Sequence, residues 1–345
     1  MHMNKARKAA LMLATAAITL GTAAYAGSAS ATTSAARTST RSHAQTLLKV
    51  ALVAPSATND LNWTQSIYAA LESLKGSENL SISVSANEYV TSQAADIIEE
   101  YAHEGYNLII AHGTQYGSTI EQLGPKFPKV SFAWGTAGAT FGMPNVFAYE
   151  AAANEGGYVQ GYMAAMMSKS RVLGACGPIA AADDKLYIDG FAAGAKAEGR
   201  ATGSPVTVHV VYTGSYSDDS AMATCAKSFV SDKADVISAT TQSAVGALGV
   251  ARVDHLPFFG NDWSMVSVAP HSVVSSEVYN WVPALRNMFA DIRGGTLGDA
   301  TSVIDLGNGG ERISFNSAYH LSPVIEAQGK KLIAEITDGT LTPPQ

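Results

Sequence analysis

From position 47 onward the chain alternates two hydrophobic periods. Short apolar, β-branched runs at 47–55 (LLKVALVAP), 80–89, 107–113 and 129–136 predict strands, and stretches of helical period lie between them. In "TSQAADIIEEYAHEG", Ala94, Ile97, Ile98 and Tyr101 recur at i, i+3, i+4 and i+7, with Gly105 placed to stop the helix. After "NVFAYEA" and a predicted helix over 154–168, the alternation restarts. Strands are predicted at 171–178, 205–214, 234–241 and 256–262, with helices near 184–198, 218–231 and 242–250. Beyond 264 the pattern thins to a strand "SVVSSEVYN", a helix near 281–292, a strand "TSVIDL" and a last helix near 322–337.

Strand-helix alternation builds parallel sheets covered on both faces, so the expected class is α/β with two doubly wound lobes. The tail is too small for a third domain and is expected to complete the edges of both lobes. The division expected is 46–153 with 262–278 in the first lobe, and 154–261 with 279–345 in the second. In such sheets the loops at the carboxyl ends of the strands form the ligand crevice. Those loops are "APSATNDLNW", "HGTQYG", "YEAAANEG", "GPIAAADDK", "TGSYSDD", "TTQS" and "GNDWS".

Composition agrees with a large core: of 345 residues 47% are hydrophobic and 15% charged. Lys5, Arg7 and Lys8 precede an apolar run from Ala9 to about Ala24 and Ala-x-Ala sites ending at Ala26 and Ala31, the pattern of a secretory signal peptide over 1–31. The Ser/Thr/Ala-rich stretch over 32–45 reads as a flexible leader. Loss of the three cations takes the net charge from −7 to −10, which argues against nucleic-acid binding. No later run reaches the ~18 apolar residues of a membrane span. The expected location is extracellular or cell-surface, with no lipid-bearing cysteine after the signal.

Cys176 and Cys225 are either a disulfide of an exported protein or two small buried side chains. Cys225 shares a helical stripe with Met222, Ala226 and Phe229, and Cys176 lies in the strand opening the second lobe. If the strand order there is 2-1-3, the helix crosses over that strand and the sulfurs can meet.

Catalytic signals are sparse. His112, His209, His255, His271 and His320 lack metal-ligand spacing, and neither a Walker loop, a G-x-S-x-G elbow nor G-x-G-x-x-G occurs. The pairs Asp183-Asp184 and Asp218-Asp219 stand at helix starts, where adjacent carboxylates complement the helix dipole more often than they form acid/base pairs. These features predict a binder rather than an enzyme, with no cofactor and no metal. Trp63 and Tyr216 follow strands by a few residues. Trp63 is either buried by its own helix beneath Tyr68, or faces Tyr216 across the cleft to sandwich a flat ring.

The collinear segments "VALVAPSATNDLNWTQSIYAAL", "NLIIAHGTQYGSTI", "FPKVSFAWGT", "YEAAANEGGYVQGYMAAMMSK", "VLGACGPIAAADDKLYIDGFAAGA", "VYTGSYSDDSAMATCAKSFVSDKADVI", "FFGNDWS" and "SSEVYNWVPALRNMF" resemble the basic membrane lipoprotein family. The resemblance runs from about Val50 to the last helix. It implies a type I periplasmic-binding-protein fold, two lobes joined by three crossings that close on ligand. It also implies a solute-binding subunit serving ABC permease subunits, with a purine nucleoside or nucleobase compound as ligand. Trp63 and Tyr216 match the family's ring-clasping aromatics, and Asp262 in "GND" matches an acid that receives ribose hydroxyls. The sequence departs from the family at Pro55, where an acid is common, at Tyr279, where lysine is common, and in lacking the lipid-bearing cysteine. Asn59, Asp60, Tyr116, Glu150, Gln242, Asp262 and Tyr279 are the candidate polar contacts. Asp60 and Glu150 are equally open to reading as a helix cap and an inter-lobe ion-pair partner. The alternatives are a sensor presenting its closed form to a membrane receptor, or a binder of another small solute such as a sugar.

Overall fold

A computed structural model describes residues 45–345. The signal peptide and all of the leader except Gln45 lie outside the described residues.

Two six-stranded sheets organise the chain. The first has the order β11-β5-β4-β3-β1-β2 and the second β12-β10-β9-β8-β6-β7. The first lobe opens with β1 (Leu48–Val53), α1 (Trp63–Leu74), β2 (Leu80–Ser85), α2 (Thr91–His103), β3 (Leu108–Ala111), α3 (Gly117–Leu123), β4 (Ser131–Gly135) and β5 (Val146–Ala151). The second runs through α4 (Asn154–Met167), β6 (Val172–Gly177), α5 (Ala182–Thr202), β7 (Thr207–Tyr212), α6 (Asp219–Ser231), β8 (Val236–Ala239), α7 (Ala244–Val253) and β9 (Phe258–Gly260). Then follow β10 (Val273–Tyr279), α8 (Val282–Gly294), β11 (Ala300–Ile304), β12 (Glu311–Phe315) and α9 (Pro323–Thr337).

The predicted periods explain these elements. β3 is buried along its whole length because helices cover both faces of its sheet. On α2, Ala94 and Ile98 are buried with Ala102, whereas Ile97 and Tyr101 pack from the flank. Gly105 adopts φ +72° just past the helix, the left-handed conformation that ends it. In the second lobe α4 and α5 meet at backbone distance. A Cβ on Gly161 would stand 1.9 Å from the Phe191 carbonyl oxygen, and one on Gly194 2.0 Å from that of Tyr158. Only glycine permits that approach.

β6 lies between β7 and β8, the 2-1-3 order that brings α6 over it, and Cys176 is bonded to Cys225 with Cα atoms 6.2 Å apart.

The tail departs from the expected division. β10 pairs with β9 and β12 in the second sheet, so 262–278 belongs to the second lobe and not the first. β11 pairs with β5 in the first sheet and α8 packs on α1 and β11, so part of 279–345 returns to the first lobe before β12 and α9 rejoin the second. Strand pattern alone carries no label for the sheet a strand joins. All seven residues of β10 are buried because it is an interior strand with neighbours on both sides. The chain therefore crosses between lobes three times, at 151–154, 279–282 and 304–311.

Candidate ligand-binding site

Between the lobes the strand-end loops line a narrow cavity of about 30 Å³, room for a few water molecules at most, so a ligand of nucleoside size needs the lobes further apart than they stand here. The first lobe supplies Pro55, Trp63, Tyr89, Gly113, Thr114, Gln115 and Thr136. The second supplies Ala182, Asp183, Asp184, Tyr216, Thr241, Gln242 and Asp262. The lobes touch beside it: Asn62 Nδ2 donates to the Asn261 carbonyl at 3.3 Å, and Gln242 Nε2 reaches Ser56 Oγ at 3.5 Å.

Trp63 is the first residue of α1 and is 7% exposed. Its ring stacks on the His112 imidazole with centroids 3.9 Å apart and planes 5° from parallel. Trp281 meets it edge-on at 5.6 Å and Tyr279 at 6.3 Å, while its Nε1 donates to the His112 carbonyl at 3.1 Å. Its aromatic neighbours are thus His112, Trp281 and Tyr279 rather than Tyr68. With one face covered by imidazole, Trp63 lines the cavity with the small part of its ring that stays exposed. Trp63 is therefore buried, though not beneath Tyr68, and it lines the cavity that Tyr216 also lines.

His112 makes that platform rigid. Its Nε2 lies 3.2 Å from the Trp63 carbonyl oxygen, which can only accept, so Nε2 carries the proton and Nδ1 accepts from the Tyr149 hydroxyl at 2.7 Å. Complete burial drives the pKa of His112 down to about 3, against a weaker upward pull from the Trp63 carbonyl, so the ring is neutral at physiological pH.

The opposite wall is acidic. Asp183 and Asp184 stand in the first turn of α5, each 7% exposed, and Asp262 is 2% exposed at φ +63° with no hydrogen-bond partner for Oδ1. Burial raises the pKa of Asp183 to about 7, and burial with the mutual repulsion of the acids drives Asp184 and Asp262 well above the carboxylate range. None of the cavity-lining residues is a Lys, Arg or His. Tyr216 reaches the same cavity half-buried, its pKa pushed up to about 12 first by burial and then by Asp184.

The other candidates divide. Gln242 and Asp262 are in the wall. Tyr279 lies behind it, fully buried, its hydroxyl accepting from Asn261 Nδ2 at 3.2 Å. Tyr116 is a core residue whose hydroxyl donates to the Glu88 carbonyl, and its neighbours Thr114 and Gln115 line the cavity instead. Asn59 is exposed and off the wall. Asp60 is a cap: its carboxylate accepts from Ser56 Oγ at 2.6 Å and from the amides of Asn62, Thr64 and Gln65 at 2.9–3.0 Å. Glu150 is half-buried on β5, and no ion pair among the described residues includes it.

Asp218 caps α6 as expected, accepting from the Ala221 amide at 2.9 Å, but Asp183 and Asp184 combine a first-turn position with a place in the wall. His112 escaped detection because a single histidine ending a buried strand carries no spacing signal. Tyr89 and Thr136 follow β2 and β4, and strand-end loops were the signal that could have found them.

Residues 47–336 match a family described as ABC transporter substrate-binding protein, PnrA-like. A purine-binding protein of Brucella abortus is 28% identical over 243 residues, covering 70% of this chain and 67% of that protein. A transcriptional activator, med, of Bacillus subtilis is 24% identical over 289 residues, covering 84% and 87%. Among solved structures, an ABC transporter solute-binding protein from Conexibacter woesei superposes with a TM-score of 0.71 at 23% identity, covering 86% of this chain and 98% of that one. The chain belongs to the PnrA-like family of ABC transporter substrate-binding proteins.

Proposed function

We propose that this protein binds a purine nucleoside or a related nucleobase compound between its lobes and delivers it, outside the cytoplasm, to an ABC importer. The observation that carries the reading is the Trp63 face, held rigid by His112 and set in one cavity with Tyr216 of the other lobe. A flat heteroaromatic ring gains about 1–3 kcal/mol from stacking on each such side chain. The buried carboxyls of Asp183, Asp184 and Asp262 suit a ligand rich in N–H and O–H donors, such as ribose hydroxyls, ring N–H and amino groups. A phosphate has no cation to meet there, so the free nucleoside or base is the form expected. The purine-binding Brucella relative supports the same class.

A panel of nucleosides, bases, sugars and amino acids in thermal-shift and calorimetric titrations tests it. Stabilisation by adenosine, inosine, guanosine or their bases is the expected result. A response confined to sugars or amino acids would overturn the ligand class.

A further inference from the structure

The second-lobe wall of the cavity is short of positive charge. Its acids, Asp183, Asp184 and Asp262, are all buried, and no Lys, Arg or His lines the cavity with them. The charged groups that act most on Asp262 are Asp183, Asp184, Glu277 and Asp60, and Glu150 acts on Asp183. Every one of them is an acid. Lys185, the next residue along α5, pairs with Asp189 one turn further on, and His112 stands neutral behind Trp63.

Hydrogen-bond donors are short as well. The Thr240 hydroxyl lies 2.7 Å from Asp184 Oδ1 and 2.8 Å from Asn261 Oδ1, and its single hydrogen can serve only one of the two. Asn261 Nδ2 is spent on Glu277 Oε2 at 2.8 Å and the Tyr279 hydroxyl at 3.2 Å. Asp262 Oδ1 meets no donor at all. The start of α5 accounts for part of this arrangement, since a helix dipole favours acids in the first turn. It does not account for Asp262, which lies in the loop after β9. A buried carboxyl without a counter-charge is held at a cost in stability, and a positive charge brought by a ligand removes that cost.

Aromatic rings line the same cavity, Trp63 and Tyr89 from the first lobe and Tyr216 from the second. A cation is attracted to the negative face of such a ring, more strongly where water is excluded. A neutral purine gains from the rings but leaves the acids uncompensated. An aliphatic amine answers the acids but cannot stack. A cationic heteroaromatic ring does both.

We infer that the ligand carries a positive charge on its flat ring, as an N-alkylated purine nucleoside or base does, with Asp183, Asp184 and Asp262 as its counter-charge. The inference rests on the nucleoside reading for the ring and adds the charge to it.

The test compares ligands of one shape and two charges. In mildly acidic buffer N7-methylguanosine is a cation, whereas its deaza analogue, with carbon in place of N7 and the same methyl group, is neutral. The N-methylpyridinium form of nicotinamide and neutral meta-toluamide make a second pair that lacks both purine and ribose. Calorimetry gives Kd for these four and for guanosine, in the wild type and in Asp183→Asn. The cation of a pair should bind the wild type about tenfold more tightly than its neutral partner. Asp183→Asn should narrow that ratio severalfold while changing the neutral partner's affinity less. Equal affinities within both pairs would overturn the charge and, where guanosine binds, leave the nucleoside reading standing. Tighter binding of the pyridinium than of meta-toluamide, with guanosine and both methylated nucleosides silent, does the reverse: the nucleoside reading fails and the charge stands. A panel in which neither cation binds overturns the charge, and a ratio unchanged in Asp183→Asn overturns the acids as its partners. Should Asp183→Asn fail to fold by circular dichroism, Asp262→Asn replaces it.

Discussion

The two lobes share a topology but prepare the cleft in opposite ways. The first lobe presents a finished surface: Trp63, His112 and Tyr149 satisfy one another's polar groups before any ligand arrives. The second presents an unfinished one, with buried carboxyls that lack counter-charge and an Asp262 oxygen that lacks a donor. The contrast separates two tasks. A stacking platform must be rigid to avoid losing affinity to reorganisation, whereas a polar wall selects by needing what only the right ligand brings.

Replacing Trp63 probes the finished side and should have the largest effect. Trp63→Ala removes a buried ring against His112 and Trp281, lowering stability by about 3–5 kcal/mol in denaturant unfolding and nucleoside affinity by a further ~1–3 kcal/mol. Trp63→Phe, which keeps a stacking face, should recover most of the affinity. Equal affinities for the alanine variant and the wild type would remove the platform from the comparison.

Next comes the staple, which only the second lobe has. Opening a 49-residue loop closed by Cys176–Cys225 removes about 4 kcal/mol in the chain-entropy view. Reduction should lower the unfolding midpoint and expose amides of β6, β7 and α6 first in hydrogen exchange. Uniform loss of protection in both lobes would contradict that.

Asp262→Asn sharpens the unfinished side. It keeps the shape and replaces a carboxyl oxygen by an N–H donor, and is expected to weaken nucleoside binding by about 1–3 kcal/mol. Free bases should lose less, since the ribose hydroxyls are the donors expected at this position. Calorimetry on a nucleoside and base pair reads the difference.

The smallest net effect is that of pH on stability without ligand, because the lobes pull in opposite directions. His112 has a depressed pKa, so its contribution is complete above about pH 6.5 and is lost as pH falls toward about 3. Asp183 and Glu277 have raised values, so their contribution is complete below about pH 4 and is lost as pH rises through about 7 and 8. Between those limits the slopes oppose, so His112 offsets part of the loss from the more numerous acids and the urea midpoint should fall only gently as pH rises. His112→Asn should flatten the acid limb and Asp183→Asn the alkaline one. A wild-type midpoint that climbs steadily with pH would show the second-lobe acids to be ionised at no cost.

The α/β alternation, the helix stripe of α2 and the stop at Gly105 were legible because period and glycine placement are local properties. The strand-end loops were legible too, since a doubly wound sheet puts them at one edge, and Trp63, Tyr216, Gln242 and Asp262 do line the cavity. Tyr116 and Tyr279 misled: an aromatic in a loop or strand end looks the same in sequence whether its hydroxyl points into a cleft or into the core. Asp60 and Asp183 show the same limit, since both sit near a helix start and only one belongs to the wall.

The sequence by itself left Cys176 and Cys225 open between a disulfide and two buried side chains, but it determined the fold class, the two-lobe plan and the loops that meet. Those follow from short-range patterns and from chirality rules that hold for any such chain. Tertiary structure alone decided which sheet β10 and β11 join, that His112 backs Trp63, and that Cys176 and Cys225 are bonded. Each of these depends on contacts between residues far apart in the chain. Hydrophobic period sets which face of a strand is buried, but not which neighbour buries it.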